Sequence, residues 1–229
     1  MYMEIVKAAL FDIDGILLDT EIFQYQAWAD IFEQLAGHSL SKDEYAQKYC
    51  GNSSQWIAEQ VQRQFCIDST TDEILEQRER IVLDKVEEGE ITQMPYAAEV
   101  LEHFAKELPT TLATGAATQE SLIKLSRSGL IKIIESYQIP IISRDMVARG
   151  KPAPDTYICA AKKLGIAPNE CIAFEDTIAG IESAENAGVN CLAVPNNWTK
   201  HKMPERKVYA NLRDAQQFVE RNYVLQPRR

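Results

Sequence analysis

The chain has 229 residues, 45% of them hydrophobic and 25% charged, and its formal net charge at pH 7 is −10. That length and composition exclude a disordered chain and suit one large domain, or one domain that carries a smaller insertion. The acidic charge argues against binding to nucleic acid or to an anionic membrane surface, because like charges repel. A small anionic ligand stays compatible with it, since one lysine or a metal ion can reverse the local field.

The cysteines, the histidines and the beginning of the chain indicate which bonds, metal sites and cellular compartment to expect. The five cysteines are scattered without a C-x-x-C pair and the three histidines are isolated, so neither disulfides nor a zinc site is expected. Met1 leads almost directly into the apolar run IVKAAL without a signal-peptide pattern, and no apolar run is long enough to span a bilayer. We therefore expect a cytoplasmic monomer without nucleic-acid or membrane partners.

The first ninety residues change from a strand pattern to a helical one. Residues 6–11 are apolar apart from Lys7, which predicts a strand that is covered on both faces. From about Thr20 the apolar residues recur at helical spacing, and capping-box patterns at residues 41–44 and 70–73 predict two further helix starts. The stretch from about 19 to 90 is thus predicted to be helical, with no strand.

Helix and strand patterns alternate after residue 95. Such alternation predicts right-handed βαβ units and a parallel sheet flanked by helices. The predicted fold is α/β, a doubly wound parallel sheet with an inserted helical cap domain; residues 1–18 and 93–229 form the core domain and residues 19–92 form the cap. Strands are predicted at 110–115, 139–143, 171–175 and 190–194, and helices near 96–107, between 115 and 139, near 155–164 and near 178–187.

Polar residues stand at the ends of several predicted strands. In a doubly wound sheet ligands bind at the carboxyl ends of the strands, so these side chains are expected to converge. Alternate residues of a strand point the same way, which would project the first two acids into the crevice together, where they repel unless a cation lies between them. The residues at these strand ends are Asp12, Asp14, Thr114, Lys151, Glu175 and Asp176.

This group of residues favours a magnesium and phosphate site. Oxygen ligands without cysteine or histidine favour Mg²⁺, and Asp176 would add a ligand from a distant strand end to those of Asp12. Lys151, which follows a glycine and precedes a proline, would keep Asp12 ionised and neutralise a bound phosphoryl group. Thr114, with backbone N–H groups at a helix start, would hold the same anion.

Each of these residues also has a purely structural interpretation when taken alone. A D-x-D pattern at a strand end serves as a turn or cap about as often as it serves chemistry. Thr114 suits a helix cap, Lys151 suits a solvated charge, and the acids at 175–176 suit the positive end of the next helix. Their joint occurrence at successive strand ends is what favours the functional interpretation.

Four motifs resemble those of the haloacid dehalogenase-like superfamily. They read FDIDG, LATG, RGKPAPD and FEDTIAGIESAENAG, and they are most similar to the branch with a helical cap after the first motif. That branch includes β-phosphoglucomutase and many sugar-phosphate phosphatases. The resemblance covers the core from residue 6 to about 195, and the cap agrees in length and helical character.

The resemblance implies a role for each motif residue. It implies that Asp12 is the nucleophile that forms an aspartyl-phosphate, and that Asp14 acts as general acid and then as general base. Thr114 and Lys151 would hold the phosphate together with the backbone of Gly115, where relatives more often carry Ser or Asn. The implied magnesium ligands are Asp12, Asp14 through its main-chain carbonyl, and Asp176, with Glu175 supporting them.

Within this branch the residues favour a phosphatase over a sugar-phosphate mutase. β-Phosphoglucomutases usually carry a His four residues after the Thr that corresponds to Thr20, whereas this chain has Gln24. GNSS at 51–54 stands where the mutases place an Arg after a glycine, and Glu79 falls where they carry a Lys. The expected partner is a small phosphorylated metabolite of the sugar or polyol phosphate class. The mutase is the alternative, and a catalytically silent scaffold, which would not need the intact motifs, is the third hypothesis.

The cap supplies the candidates for substrate specificity, and the tail has no functional interpretation. Each cap candidate is explained about equally well as solvated polar surface. Residues 196–229 are predicted to form a loop, a covering helix and a frayed end. The cap candidates are Thr20, Gln24, Asn52, Ser53, Ser54, Arg78 and Arg80.

Overall fold

A parallel sheet forms the centre of the core domain in the computed structural model, which describes residues 4–203 and 207–226. The strands, numbered along the chain, are Glu4–Val6 (β1), Ala8–Phe11 (β2), Leu18–Asp19 (β3), Thr92–Gln93 (β4), Thr110–Ala113 (β5), Ile141–Ile142 (β6), Cys171–Glu175 (β7), Asn190–Ala193 (β8) and Tyr223–Leu225 (β9). Five of them form the central sheet in the order β6-β5-β2-β7-β8, and every neighbouring pair is parallel.

Helices cover both faces of this sheet. Because side chains alternate along β2, Ala9 and Phe11 pack with the helices of one face, and Ala8 and Leu10 pack with those of the other. The helices are Glu21–Ala36 (α1), Lys42–Glu44 (α2), Ser54–Phe65 (α3), Thr71–Glu88 (α4), Ala97–Glu107 (α5), Thr118–Arg127 (α6), Ile131–Ser136 (α7), Asp155–Leu164 (α8), Ile178–Asn186 (α9) and Leu212–Asn222 (α10). Helices α5, α6, α7 and α10 lie on the first face, and α8 and α9 lie on the second, which confirms the doubly wound α/β fold.

Helices α1 to α4 follow the first strand of the sheet and pack around an apolar cluster of their own. The cluster includes Trp28, Phe32, Val61 and Ile74, all of them buried. At residue 70 the predicted capping box is complete, with the Thr70 hydroxyl and the Glu73 carboxylate each bonded to the other residue's backbone N–H. At residue 41 only the serine half forms, because the Glu44 carboxylate binds neighbouring basic side chains instead.

A two-residue antiparallel ribbon connects this helical block to the core. Leu18 pairs with Gln93 and Asp19 pairs with Thr92, so β3 and β4 lie side by side where the chain leaves the core and returns. The prediction that residues 19–90 contain no strand is wrong at Asp19. Two residues are too few to show a strand periodicity, and their pairing depends on a partner more than seventy positions away.

The two ends of the chain also differ from the prediction. The single strand expected at 6–11 is two strands, since β1 leaves the central sheet and pairs in parallel with β9. Lys7 separates β1 from β2, and its backbone N–H and its ammonium both bind Glu170. The expected frayed end is wrong for residues 223–226, and residues 227–229 lie outside the described part.

No helix among residues 4–203 and 207–226 combines the length and the apolar character that crossing a bilayer requires.

Candidate active site

Lys151 connects two acidic residues at the carboxyl ends of neighbouring strands. Asp12 follows β2 and Glu175 ends β7, and the two strands are paired in the sheet. The Nζ atom of Lys151 donates to Oδ1 of Asp12 at 2.6 Å, to Oε1 of Glu175 at 2.5 Å and to the carbonyl oxygen of Ala113 at 2.9 Å. Asp12 and Glu175 are both buried. Three strand ends are thereby held by one ammonium group.

Lys151 alone does not offset the burial and the mutual repulsion of these acidic residues, so the prediction that it keeps Asp12 ionised is wrong unless a further cation is bound. Burial raises the pKa of Asp12 to about 8, although Lys151 opposes the rise and the carboxylates of Glu175 and Asp14 add to it. Burial, followed by the charges of Asp12 and Glu175, raises the pKa of Asp176 well above its usual value. Burial alone would lower the pKa of Lys151, but the two carboxylates that it binds outweigh burial and raise it, so the ammonium stays charged.

The same carboxylates fit a hard divalent cation. Asp12, Glu175 and Asp176 each offer an oxygen, and these oxygens lie within 4.8 Å of one another. Oδ1 of Asp176 and Oε2 of Glu175 are buried without a hydrogen-bond partner. Burial of such unpaired oxygens is unfavourable in free energy unless a cation contacts them. An all-oxygen donor set suits Mg²⁺ or a similar ion. The side chain of Asp14 is not in this group, and ligation by its main-chain carbonyl stays a prediction.

Asp176 is connected to the cap through the segment that follows β8. Asn196 donates from Nδ2 to Oδ2 of Asp176 at 2.7 Å, and its own side-chain oxygen accepts from the backbone N–H of Trp198 at 2.8 Å. The Trp198 ring lies 6.1 Å, centroid to centroid, from the rings of both Tyr25 and Tyr45 in the cap. The tail that had no functional interpretation therefore contacts both the candidate metal site and the cap.

Asp14 binds a lysine that is wholly buried in the core domain. Nζ of Lys124, on α6, donates to Oδ1 of Asp14 at 2.7 Å, and the Thr20 hydroxyl donates to the same oxygen. Glu120, one turn earlier on α6, is ion-paired with Lys124. Burial alone would raise the pKa of Asp14, but the charge and hydrogen bonds of Lys124 and Thr20 outweigh it and hold the pKa below its usual value.

Thr114 and Gly115 stand at the end of β5, beside the group held by Lys151. The hydroxyl of Thr114 accepts from the backbone N–H of Ala116 at 3.0 Å, which is a turn contact and not a helix cap, because the N-cap residue of α6 is Ala117. The hydroxyl proton of Thr114 stays available to a ligand. A Cβ built on Gly115 would meet no atom within 4 Å. No steric demand therefore requires glycine at this position, which is exposed beside the strand end.

Two cap candidates face the interior of the protein. Gln24, on α1, donates from Nε2 to Oε1 of Glu120 at 3.3 Å and thereby touches the network around Asp14. Arg78, on α4, is 8% exposed, its guanidinium carbon lies 6.0 Å from the centre of the Trp28 ring, and its Nε has no hydrogen-bond partner. A buried guanidinium with a free donor is available to an acceptor group of a bound ligand.

The other cap candidates have local structural roles or lie in solvent. Ser53 accepts from the backbone N–H of Trp56 and caps α3, the helix that Ser54 begins. Asn52 is exposed and donates to backbone carbonyls behind it. The Arg80 side chain is 79% exposed and pairs loosely with Glu76. Ser53 and Asn52 also line a cavity of about 280 Å³ between the cap loop and the beginning of α9.

Sequence reasoning missed several residues of this site. Lys124 and Glu120 occur as an ordinary i, i+4 charge pair, a pattern typical of a solvated helix face, and only their burial distinguishes them. Tyr157 donates its hydroxyl to Oε1 of Glu175 at 2.6 Å, and the apolar spacing of α8 could have placed it inside but not against Glu175. Nothing in the sequence singles out Asn196 as a partner of Asp176.

Comparisons with known proteins agree with this geometry. The haloacid dehalogenase-like hydrolase family matches residues 6–188. The chain is 30% identical over 203 residues to YhcW of Bacillus subtilis, with 85% of this chain and 86% of that protein covered. It is 29% identical over 190 residues to the fructose-1-phosphate phosphatase YqaB of Escherichia coli, with 81% and 94% covered.

Solved structures show the same fold. A mutant of CbbY from Rhodobacter sphaeroides, in complex with xylulose-(1,5)bisphosphate, superposes with a TM-score of 0.76 at 23% identity, over 91% of this chain and 95% of that one. The family match covers well over half of the chain and includes Asp12, Asp14, Thr114, Lys151, Glu175 and Asp176. The chain therefore belongs to the haloacid dehalogenase-like hydrolases.

Proposed function

We propose that this protein is a Mg²⁺-dependent phosphatase that hydrolyses a small phosphomonoester through an aspartyl-phosphate on Asp12. The observation that carries the proposal is the contact of Asp12 with Lys151 beside the carboxylates of Glu175 and Asp176. One oxygen of Asp12 is bound by the ammonium, and the group around it fits a divalent cation. Phosphoryl transfer needs this combination of a nucleophile and nearby positive charge.

In the first step an oxygen of Asp12 attacks phosphorus while the bond from phosphorus to the substrate's alcohol oxygen breaks. The electron pair of that bond goes to the alcohol oxygen, which takes a proton from the carboxyl group of Asp14. Because the pKa of Asp14 is held below its usual value, its protonated form is the minor one at neutral pH but is a strong proton donor. Lys151 and Thr114 bind the oxygens of the transferred phosphoryl group. Asp12, the main-chain carbonyl of Asp14 and Asp176, with Glu175 behind them, would hold Mg²⁺, which would supply further neutralisation of the charge on that group.

In the second step water releases the phosphoryl group from Asp12. The carboxylate of Asp14, left without its proton by the first step, takes a proton from the water as its oxygen attacks phosphorus. The bond from phosphorus to Asp12 then breaks, which restores both carboxyl groups and yields inorganic phosphate. Asp14 lies two residues after Asp12 and carries no bond to the Lys151 cluster, so the two acids are free for separate roles.

The relatives and the cap support a choice of substrate class. The similar E. coli protein is named for fructose 1-phosphate, and CbbY has been crystallised with a pentulose bisphosphate. In this chain the buried Arg78, with a free donor, and the amide of Gln24 supply polar groups suited to hydroxyl or anionic oxygens. We infer a sugar or polyol phosphate, whose leaving oxygen is an alkoxide that needs the proton of Asp14.

Hydrolysis is favoured over the mutase alternative by the contact of Gln24. A side-chain amide does not act as a general acid or base at neutral pH, and the NH₂ group of Gln24 is bonded to Glu120. The position where mutases usually carry a titratable histidine therefore offers only hydrogen bonds.

A panel of phosphomonoesters, including fructose 1-phosphate, glycerol phosphate and 4-nitrophenyl phosphate, tests the proposal with purified protein and Mg²⁺. We expect release of inorganic phosphate that stops on chelation. Conversion of β-glucose 1-phosphate to the 6-phosphate without free phosphate would establish the mutase instead. Absence of turnover, together with failure to bind the phosphate mimic fluoroberyllate, would leave the scaffold hypothesis.

A further inference from the structure

Helix α6 carries two charged residues on the face that it turns towards the core. Glu120 is 2% exposed and Lys124 is 0% exposed, and the neighbouring Ser121 and Leu125 on the same face are buried as well. Core-facing positions of an amphipathic helix are normally apolar, and lysine and glutamate are among the residues least often fully buried. This pair therefore needs an explanation.

Stability alone does not provide one. Removing two charges from water is unfavourable, and replacing a buried ion pair with apolar side chains of similar volume is often neutral or stabilising. Lys124 is also too enclosed to touch a substrate, since none of its side chain is exposed. Its role must be exerted through the residues that it contacts.

Those contacts lead to a single oxygen of Asp14. Lys124 and Thr20 both donate to Oδ1, and no hydrogen bond from the described residues reaches Oδ2. The Asp14 side chain is 20% exposed although its partner is wholly buried, so the carboxyl group lies at the boundary between the protein interior and the active-site space. One oxygen is fixed to the core, and the other is left for the reaction.

We propose that Lys124, held in place by Glu120, is a positioning residue that fixes Oδ1 of Asp14 and so makes Oδ2 the oxygen that delivers the proton to the leaving group. This inference rests on the proposed phosphatase function. The proton moves from Oδ2 to the alcohol oxygen as the bond from phosphorus to that oxygen breaks, and Lys124 keeps all of its own protons.

Glu120 completes the arrangement from the other side. Its carboxylate is ion-paired with Lys124 and accepts from Nε2 of Gln24 on the cap helix α1. It thus balances the charge of Lys124 inside the protein and limits the directions in which the ammonium can point. The same contact ties the position of Asp14 to the position of the cap.

A positioned general acid matters only when the leaving group needs a proton. Phenoxide and sugar alkoxides are strongly basic and leave slowly unless they are protonated, whereas 4-nitrophenoxide is a stable anion. The quantity kcat/KM covers the steps up to transfer of the phosphoryl group to Asp12, so it excludes the later hydrolysis step. The ratio of kcat/KM for phenyl phosphate to that for 4-nitrophenyl phosphate therefore reports on proton delivery.

The test is the double variant Glu120→Leu/Lys124→Leu, which removes both buried charges together and leaves neither one unpaired. We expect kcat/KM for phenyl phosphate to fall by about 10- to 100-fold, part of the usual effect of general acid catalysis. For 4-nitrophenyl phosphate we expect kcat/KM to fall by less than about threefold, because its leaving group needs no proton from a general acid. The matched control, Glu102→Leu/Lys106→Leu, removes an exposed i, i+4 pair of the same residue types from α5 and should leave the ratio unchanged.

Equal losses for the two substrates, or no loss for either, would overturn the positioning role. Thermal unfolding of each variant establishes that the compared proteins are folded. If the double variant does not fold, Lys124→Gln, which retains a neutral donor, is measured with the same two substrates under the same criterion. Failure of the proposed function is distinguishable, because the unaltered protein would then release phosphate from neither substrate.

Discussion

Gly15 lies directly against the carboxylate of Asp176. A Cβ built on Gly15 would be 2.2 Å from Oδ2 of Asp176 and 2.6 Å from Nδ2 of Asn196, and the backbone of Gly15 has φ +82°. The first motif and the fourth motif thus approach so closely that only a hydrogen atom fits between them. The glycine after the acid pair serves the spacing of the site as well as the turn.

Gly15→Ala should therefore weaken the metal site. The added methyl group displaces the Asp176 carboxylate, so we expect the Mg²⁺ concentration for half-maximal activity to rise by about tenfold or more, as disturbance of groups that support a metal ligand commonly causes. Titration of the activity with Mg²⁺ measures this half-maximal concentration. Gly129→Ala is the control, since Gly129 also has φ +82° but has open space around it. Equal effects of both substitutions would assign the loss to backbone strain.

Asp12→Asn should abolish turnover while leaving the fold intact. The amide is nearly isosteric but is not a nucleophile, so we expect kcat to fall by at least about a thousandfold. Steady-state hydrolysis of 4-nitrophenyl phosphate measures the loss, and circular dichroism checks the fold. Activity close to that of the unaltered protein would rule out the covalent role of Asp12.

Removal of divalent metal should lower both activity and thermal stability. A cation at the Asp12, Glu175 and Asp176 oxygens relieves their mutual repulsion, and a ligand at 100 times its Kd stabilises a folded protein by about 2.7 kcal/mol. Thermal unfolding with EDTA and with excess Mg²⁺ measures the gain. The Asp176→Asn variant should lose this stabilisation by Mg²⁺, whereas the Glu107→Gln variant, changed at an exposed position on α5, should retain it. An unchanged gain in Asp176→Asn would place the cation elsewhere.

Tyr157→Phe should destabilise the protein by about 1.5–3 kcal/mol, the range for a hydrogen bond to a charged group. Tyr157 is wholly buried and its hydroxyl is 2.6 Å from Glu175, which loses a donor in the variant. Urea unfolding measures the change. The corresponding substitution Tyr137→Phe removes a longer, 3.2 Å bond to the half-exposed Glu102 and should cost less than about 1 kcal/mol. A cost for Tyr157→Phe no larger than that of its control would contradict this account of the Glu175 environment.

The sheet and its strand-end acids were predictable because their signals are local. Residues 171–174 are an uninterrupted apolar run followed by Glu175 and Asp176, and the structure has a buried strand with the predicted bounds 171–175. The helix predicted near 155–164 has those bounds as well. In both cases the periodicity of a few consecutive residues carries the information, and the parallel sheet then brings the strand ends together.

The parts that could not be predicted depend on partners far away in the chain. The strand β9 forms only because β1 is available beside it, and β3 forms only against β4. The burial of Lys124 is likewise set by tertiary packing of α6, since an i, i+4 Glu and Lys pair is equally compatible with a solvated helix face. The local sequence therefore predicts neither these strand pairings nor the burial of Lys124.

The central position of β2 has a consequence for the order in which the protein can fold during synthesis. Ala9 pairs with Thr110 on one side and with Ile172 on the other, so the strand that precedes Asp12 leaves the ribosome long before either neighbour exists. The apolar cluster of the helical block, by contrast, draws mainly on residues 28–74, which emerge together. Domains generally fold as units in the order of their synthesis. We therefore expect the helical block to fold first, with Asp12 close to its first helix, and the candidate active site to be completed only when β7 has been synthesised.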